Sequence, residues 1–287
     1  MKLLVAFVLV GLVAGGVIHG PTESVVENDY HNKIGIPLAA RLKAAEEALD
    51  FDGTRIVGGG HASLGQYRYT GGLVITMTTG GTSVCGSSLL SNTRGITAAH
   101  CWRTQFSQAR SFTVVYGSLL LFSGGTRVTT TDVEMHANYN MNTLVNDIAI
   151  IRLPWVTFTN NIQPIPIATG TANFAGTWAW ASGWGLTCDG CSLPTSQVLS
   201  HVQVQVITNA VCASTYGTAT VVDSTICVDT TGGRGTCSGD SGGPLANAAN
   251  NQLIGVTSFG HRDGCQRGHP AGYMRVTAYA SWIQARL

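Results

Sequence analysis

Short apolar runs separated by clusters of Gly, Asn, Thr and Pro recur between residues 56 and 287, and they constrain the fold most. Short runs bounded in this way are typical of β-strands, whereas a helix needs a longer periodic pattern. The runs span residues 73–78, 112–116, 127–133, 148–153, 198–206 and 253–259. We therefore predict an all-β fold, either a sandwich or a pair of barrels.

The overall composition excludes several classes of protein. The 287 residues are 44% hydrophobic and 11% charged, so the chain can bury a core and is not intrinsically disordered. Its formal net charge of +1 provides no strong field for a nucleic acid or a membrane surface. We expect neither of these as a partner.

The first residues have the pattern of a targeting segment. Lys2 precedes an apolar run from Leu3 to Val13, and the small residues 14–16 follow it. This pattern is typical of a secretory signal peptide, here residues 1–16, and the run is too short to span a bilayer. The protein is therefore predicted to be secreted, with its cysteines in an oxidising compartment.

Residues 17–55 differ in composition from the rest of the chain. They hold seven acidic residues, four basic residues and no Cys, whereas all 8 Cys lie after them. Apolar side chains recur at helical spacing, at Leu38, Leu42, Ala45 and Leu49. Pro37 fits a first helical turn and Gly53 marks a stop, so we predict one amphipathic helix here.

The C-terminal residues also show helical periodicity. The apolar positions of this stretch are Val276, Tyr279, Ala280, Ile283 and Leu287. Because they line one helical face, the chain is predicted to end in an α-helix.

Three short segments carry the chemistry. They are TAAHC ending at Cys101, NDIAI beginning at Asn146, and CSGDSGGP beginning at Cys237. A hydroxyl is a weak nucleophile that needs a base, and the base needs a partner that fixes its tautomer. Ser241 is the candidate nucleophile, His100 the base and Asp147 the orienting carboxylate. The amides of Gly239 and Ser241 could form an oxyanion hole, each donor being worth roughly 3 kcal/mol in the transition state.

These motifs occur in the order found in the chymotrypsin-like serine proteases, and the chain resembles that family from Ile56 to Leu287. The resemblance implies two six-stranded antiparallel β-barrels packed face to face, with a C-terminal α-helix and the site in the cleft between them. It also implies peptide-bond hydrolysis through an acyl-enzyme, so we predict a serine endopeptidase.

The sequence RIVGG, which begins at Arg55, resembles the family's zymogen cleavage site. In the family, the cut frees an amine, here that of Ile56, which pairs with the Asp before the nucleophile, here Asp240. A buried carboxylate without a partner is costly, so the new ion pair should order the nucleophile loop. Residues 17–55 are then an activation propeptide, and residues 56–287 the protease domain. Since the propeptide has no Cys to tether it, we expect its release.

The resemblance also implies a primary specificity pocket. Gly235 lies six residues before the nucleophile, where trypsin-like members have an Asp, so the pocket would not select basic residues. Its wall would come from Ser258, Phe259 and Gly260, and Ala271 would narrow it slightly. Such a pocket should accept Phe, Tyr, Leu or Met.

Three alternatives to this specificity stay open. If Asp263 reached the pocket, some basic substrates would be accepted. An elastase-like or broad collagen-cleaving specificity is the second alternative. A non-catalytic homologue that binds partners is the third, but such proteins usually lose the His or the Ser that this chain keeps.

The family pattern also implies disulfides. The implied pairs are Cys85–Cys101, Cys212–Cys227 and Cys237–Cys265. Cys188 and Cys191 remain as a CxxC pair, for which a local disulfide, two free thiols, half a zinc site or a redox motif are open.

The predicted protease domain contains eleven Arg and no Lys. Arg keeps its charge above about pH 10.4, where Lys loses it, so this composition suits an alkaline fluid. The pattern resembles digestive chymotrypsins of insect larvae, which implies secretion into a gut lumen.

No cofactor and no metal ion is predicted, because residues 118–131, which match a calcium loop of related proteases, contain no Asp or Glu. The expected partners are protein and peptide substrates, a trypsin-like activating protease and protein protease inhibitors. A monomer is expected.

Overall fold

The computed structural model describes residues 25–48, 61–189 and 198–287. The predicted signal peptide, the helix stop at Gly53, the cut between Arg55 and Ile56, and Cys191 lie outside these ranges. Within the ranges, no helix is both long and apolar enough to cross a membrane.

The first half of the region after residue 61 is a seven-stranded antiparallel sheet. Its strands are β1 (Thr70–Met77), β2 (Thr82–Ser91), β3 (Arg94–Thr97), β4 (Ala109–Tyr116), β5 (Thr126–Thr130), β6 (Val133–Met135) and β7 (Ala149–Arg152). They are hydrogen-bonded in the order β5-β4-β1-β2-β3-β7-β6. The edge strands β5 and β6 are separated by only two residues of chain, so the sheet curls back on itself as a half-barrel.

The predicted strand 127–133 is divided in two, which corrects the strand count of this half. The Thr130 hydroxyl donates to Arg152 O at 2.7 Å and accepts from Asp132 N at 3.0 Å, so the backbone turns there. The chain before the turn pairs with β4, and the chain after it pairs with β7. One bent segment thus supplies two strands, and seven strands replace the expected six.

The second half is a closed barrel of six antiparallel strands. They are β8 (Trp178–Gly183), β9 (Ser200–Ile207), β10 (Thr225–Val228), β11 (Pro244–Asn247), β12 (Leu253–Phe259) and β13 (Ala271–Arg275). Their order is β10-β13-β12-β11-β8-β9, and pairing of β9 with β10 closes the barrel. The predicted all-β class, with barrels and a C-terminal helix, is confirmed.

Two helices belong to the second half, α2 (Asn209–Tyr216) and the C-terminal α3 (Val276–Gln284). Helix α3 buries Val276, Tyr279, Ala280 and Ile283, as the periodicity predicted. The inclusion of Leu287 in that face was wrong, because α3 ends three residues earlier and this side chain is 49% exposed.

An N-terminal segment, residues 25–48, packs against both halves of the protease. It contains a π-helical turn (His31–Gly35) followed by helix α1 (Ile36–Ala48). Pro37 is the second residue of α1, but because α1 follows the π-helical turn without a break, it lies inside a continuous helical stretch that begins at Tyr30. The buried face of α1 consists of Leu38, Ala39, Leu42 and Glu46. The predicted helix is therefore present, but a carboxylate, Glu46, completes its buried face where apolar side chains were expected.

Candidate active site

Two hydrogen bonds join His100 to Asp147 at the edge of the half-barrel. His100 lies in a 3-10 turn (Ala99–Cys101) just after β3, and Asp147 lies just before β7. These strands are paired neighbours, so they bring together two residues that are 47 apart in sequence. His100 Nδ1 donates to Asp147 Oδ2 at 2.7 Å, and His100 N donates to Oδ1 at 2.8 Å. Because a carboxylate only accepts, Nδ1 carries the proton and Nε2 can act as a base.

A third donor reaches the same carboxylate. Ser258 Oγ donates to Asp147 Oδ2 at 2.6 Å, and Asp147 is completely buried. Three donors therefore satisfy the oxygens of this buried carboxylate. The sequence prediction assigned Ser258 to the pocket wall alone and missed this contact. The two residues are 111 apart, so no local motif could reveal it.

The loop that carries Ser241 is held between the two halves of the protease. Gly86 N, in β2, donates to Ser241 O at 2.7 Å, and Gly242 N donates to Thr257 O, in β12, at 2.7 Å. Gly242 has a φ of +80°, and a Cβ there would lie 2.1 Å from Thr97 Oγ1. Only glycine fits at this position, which sets the serine against the segment that carries His100.

The side chain of Tyr30, from the N-terminal segment, occupies the cleft between these residues. Its ring centroid lies 4.8 Å from that of His100, and its hydroxyl donates to Val84 O at 2.8 Å. Burial raises the pKa of Tyr30 well above its usual value, and the Ser241 side chain partly offsets this effect. His100 Nε2 is buried and has no hydrogen-bond partner in the part of the chain that the structure describes. Tyr30 thus contacts both His100, the candidate base, and Ser241, the candidate nucleophile.

The predicted oxyanion donors are also covered by the N-terminal segment. Gly239 has a φ of +103°, and a Cβ placed on it would lie only 2.3 Å from Leu38 Cδ2. Leu38 therefore packs directly against this glycine. Within the described ranges, the amides of Gly239 and Ser241 donate to no backbone oxygen. Their role in an oxyanion hole stays a prediction.

Asp240 is enclosed by backbone next to the nucleophile. Its carboxylate accepts from Gly185 N and Cys237 N, each at 2.9 Å. No cationic side chain of the described ranges pairs with it, and burial raises the pKa of Asp240 to about 6. Among the residues that the structure describes, the uncut chain therefore offers this carboxylate no charged partner.

This raised pKa predicts how stability depends on pH before cleavage. Because its pKa is raised, Asp240 binds its proton more tightly in the folded chain than in the unfolded chain. Its contribution to the free energy of unfolding is therefore fully present below about pH 4 and is lost as pH rises through about 6. Relative to Asp240→Asn, the uncut chain should lose about 2 kcal/mol between about pH 4 and pH 7, or roughly 5 °C in Tm. Thermal unfolding in a Ser241→Ala background measures this difference. Asp263→Asn, at an exposed position, is the matched control, and parallel pH profiles for wild type and Asp240→Asn would contradict the assignment.

A cavity of about 310 Å³ opens beside Ser241. Ser258, Phe259, Gly260 and Ala271 line it, as the sequence predicted. Further lining comes from Thr230, Thr236, Cys237, Ser238, Cys265 and Pro270. Of the described residues that line the cavity, only Glu27 has a carboxylate, and it belongs to the N-terminal segment. Residues 61–189 and 198–287 contribute no acidic group to this wall.

Two residues that the sequence associated with the pocket lie outside this lining. A Cβ on Gly235 would point at Thr230, 2.8 Å from its Cγ2, so Thr230 stands between this glycine and the cavity. Asp263 is exposed, with Oδ2 3.5 Å from His261 Nδ1. Neither position therefore places a carboxylate in the described lining of the cavity.

The structure joins Cys85 to Cys101, Cys212 to Cys227 and Cys237 to Cys265. The first bridge anchors the turn that carries His100, and the third connects two walls of the cavity. Cys188 is also disulfide-bonded, and the prediction for Cys191 lies outside the described residues. The neighbouring Asp189 accepts hydrogen bonds from Cys265 N at 2.8 Å and Gln266 N at 2.9 Å, a contact the sequence did not predict.

The fold and the His100–Asp147 pair beside a glycine-flanked serine define the class, a serine protease of the chymotrypsin-like type. Comparison with known proteins agrees. The Trypsin family matches residues 56–283. The collagenase of Hypoderma lineatum is 40% identical over 233 residues, which covers 80% of this chain and 86% of that protein. Brachyurin of Leptuca pugilator is 42% identical over 206 residues, which covers 70% of this chain and 87% of that protein.

A solved collagenase structure superposes with a TM-score of 0.73 at 39% sequence identity, covering 80% of this chain and 98% of that one. The chain belongs to the trypsin family and is a serine endopeptidase. The family resemblance inferred from the three motifs is confirmed.

Proposed function

We propose that Ser241, His100 and Asp147 carry out the hydrolysis. Asp147 accepts hydrogen bonds from three donors, and it holds the imidazole with Nδ1 protonated. His100 Nε2 then takes the Ser241 proton as the hydroxyl attacks the peptide carbonyl, and it returns the proton to the leaving amine. Water hydrolyses the acyl-enzyme by the same route. The amides of Gly239 and Ser241 stabilise the oxyanion.

The protein is made, in this proposal, as a secreted zymogen that a trypsin-like protease cuts after Arg55. The Asp240 carboxylate supports this step, because it is enclosed in the uncut chain and has a raised pKa. A new ammonium group at Ile56 would offset that cost and order the nucleophile loop. N-terminal sequencing of the active enzyme tests the cut, and a start at any residue other than Ile56 would contradict it.

The specificity that the cavity supports best is cleavage after large apolar or aromatic residues. The observation that carries this proposal is the absence of a protease-domain carboxylate among the described lining residues. Lys or Arg of a substrate would be buried there without a partner, which is costly. A Cβ added to Gly260 would meet no atom of the described residues within 4 Å, so this wall stays open to bulky side chains.

Peptides that differ only in the residue before the cut measure this specificity. We expect kcat/KM for Phe or Leu to exceed that for Arg by more than about a hundredfold, equivalent to roughly 2.7 kcal/mol. The zymogen is first cut with trypsin, which is then removed. Gly260→Val, which fills the open wall, should shift the preference towards Ala. Comparable cleavage after Arg in the wild type would overturn the apolar-pocket proposal.

A second candidate is a broad, collagen-cleaving or elastase-like specificity. The relatives named collagenase favour it. A preference for Ala over Phe in the same peptide series, or cleavage of native collagen by the activated enzyme, would support it. A phosphonylating reagent tests the remote alternative of a non-catalytic binding protein, because failure to label Ser241 after activation would favour that alternative.

A digestive role in a gut lumen is the biological setting we propose. Its support is the absence of Lys from residues 56–287, which leaves no target for Lys-cutting proteases and keeps the surface charge in alkaline fluid. In this setting the enzyme acts as a monomer on dietary protein and meets protein protease inhibitors. An activity optimum near about pH 7.5 with loss by about pH 10 would contradict the alkaline setting.

A further inference from the structure

The N-terminal segment runs through the cleft in contact with both halves of the protease. Val26 forms an antiparallel bridge with His261, directly after the wall strand β12, and Arg262 N donates to Val25 O at 3.0 Å. Further along, Tyr30 lies against His100, and His31 Nδ1 lies 2.8 Å from Ser83 Oγ in β2. At Val25 and Val26 the backbone of the segment thus pairs with the backbone at His261 and Arg262, beside the cavity, as an added β-strand would.

The segment is nevertheless folded in a way that protects it from cleavage. From Tyr30 onwards the chain is helical, and its carbonyls are engaged: Lys33 N donates to Asp29 O at 3.0 Å, and Ile36 N donates to His31 O. A scissile carbonyl must instead face the nucleophile and the oxyanion donors. Near Ser241 the segment places the Tyr30 side chain, which offers no peptide bond. It therefore blocks the site in the manner of an inhibitor.

A carboxylate anchors the other end of the segment. Glu46 Oε1 accepts from Leu121 N at 2.6 Å and Phe122 N at 3.0 Å, while Oε2 accepts from Phe122 N at 2.9 Å and Ser123 Oγ at 3.1 Å. Glu46 is 6% exposed. Charge-assisted bonds of this kind are roughly twice as strong as neutral ones. Residues 121–123 thus form a carboxylate-binding site away from the catalytic serine.

These contacts do not depend on the peptide bond after Arg55. Apart from the hydrogen bonds, Leu38 and Leu42 are 3% and 1% exposed and belong to the common core. The sequence prediction of release considered only the missing disulfide. Contacts of this kind survive the cut as a binding interface, with an affinity set by concentration.

We propose that residues 25–48 stay bound after activation as a competitive inhibitor of the mature protease, with Glu46 held by Leu121, Phe122 and Ser123. This inference rests on the proposed activation and goes beyond it. In this proposal the cut after Arg55 produces the competent enzyme, and dissociation of residues 25–48 then exposes its active site. The carboxylate site is specific to this ligand, a helix with one inward-facing Glu.

The test uses the full secreted chain with residues 51–55 replaced by four Asp and a Lys, a sequence that a selective protease cuts before Ile56. After complete cutting, the rate per enzyme molecule at a peptide concentration well below KM should be suppressed at micromolar enzyme and should rise on dilution. A Lys-specific protease should then restore full activity. It can digest the segment at the exposed Lys33 and Lys43, whereas residues 56–287 contain no Lys.

Glu46→Gln and Glu47→Gln form a matched pair for this test. Glu47 is exposed and pairs only with Lys43, at 3.7 Å, within the structure described. We expect Glu46→Gln to raise the dissociation constant about tenfold or more, and Glu47→Gln to leave it unchanged. Tyr30→Ala should weaken inhibition as well, and it provides a second variant if Glu46→Gln disturbs the helix.

The outcomes separate this inference from the proposed function. Full activity of the cut wild type at every concentration, with no gain from Lys-specific digestion, would overturn the inhibitor. If Glu46→Gln and Glu47→Gln changed the dissociation constant equally, the proposed role of residues 121–123 as a carboxylate-binding site would be overturned. After digestion all variants have the same mature chain, so their activities must agree. If that digested enzyme, with Ile56 at its N-terminus, cuts no peptide, then the proposed activation and catalysis fail instead.

Discussion

Ser241→Ala is expected to lower kcat of the activated enzyme by about 10⁶-fold, the largest effect of any single substitution we predict. The substitution removes the atom that attacks the carbonyl, and no other described hydroxyl occupies that loop position between β2 and β12. Because nucleophile and base act as a unit, adding His100→Ala should cost little more. The residual rate would come from substrate binding and the oxyanion donors.

Steady-state hydrolysis of a Phe peptide measures this loss, after the cut at Arg55 has been verified by N-terminal sequencing. Ser214→Ala is the matched control, because Ser214 is exposed on α2, where its hydroxyl donates to Val211 O within the same helix. This control should retain full activity. A Ser241→Ala enzyme within about tenfold of wild type would show that another group is the nucleophile.

The proposed catalytic residues could be suggested from the sequence because each lies in a compact motif. Gly239 and Gly242 sit at backbone conformations with positive φ, and the crowding around Gly242 leaves no space for a side chain. Because these constraints are local, they require glycine at fixed positions next to the serine, and the motif can be recognised in the sequence. The role of Ser258 cannot be recognised in this way, since its hydrogen bond to Asp147 depends on how β7 and β12 meet across the cleft.

Some strands of the fold are likewise determined by their local sequence, and others by pairing with strands that are distant in the chain. Short apolar runs predicted β1, β4 and β12, in which most side chains are buried, and β9, in which apolar and polar residues alternate. Strands β11 and β13 begin at Pro244 and Ala271 in Gly- and Pro-containing sequence, and neighbouring strands in the barrel determine them. Tertiary pairing overrides weak local preference at such positions.

In the N-terminal segment, sequence periodicity predicts the helix but not which of its polar side chains are buried. Its helix was predicted, but Glu46 and Glu47 are adjacent acidic residues with nothing local to distinguish them. Docking buries one against residues 121–123 and leaves the other in solvent. The position of Tyr30 in the cleft likewise depends on contacts with residues that are distant in sequence, Val84 and His100.

Asp147→Asn is expected to lower kcat/KM at neutral pH by about 10⁴-fold without unfolding the enzyme. His100 N donates to Oδ1 and cannot rotate away, so the amide oxygen of the new side chain must take that position. The amide NH₂ then takes the place of Oδ2 and faces His100 Nδ1. Because this NH₂ only donates, Nδ1 must accept, and the ring proton moves to Nε2. The imidazole is then unable to accept the Ser241 proton.

Ser258→Ala is the informative comparison for this substitution. It removes one of the three donors to Asp147 and leaves the tautomer unchanged, so its cost should be about tenfold, typical of one hydrogen bond to a charged group. Both variants are compared by kcat/KM on one Phe peptide at neutral pH. The ratio separates the effect of the reversed tautomer from the effect of losing one hydrogen bond to the carboxylate. Equal losses for both variants would show that reversing the tautomer adds nothing to the loss of one hydrogen bond, and the assignment of Nδ1 as the fixed donor would be wrong.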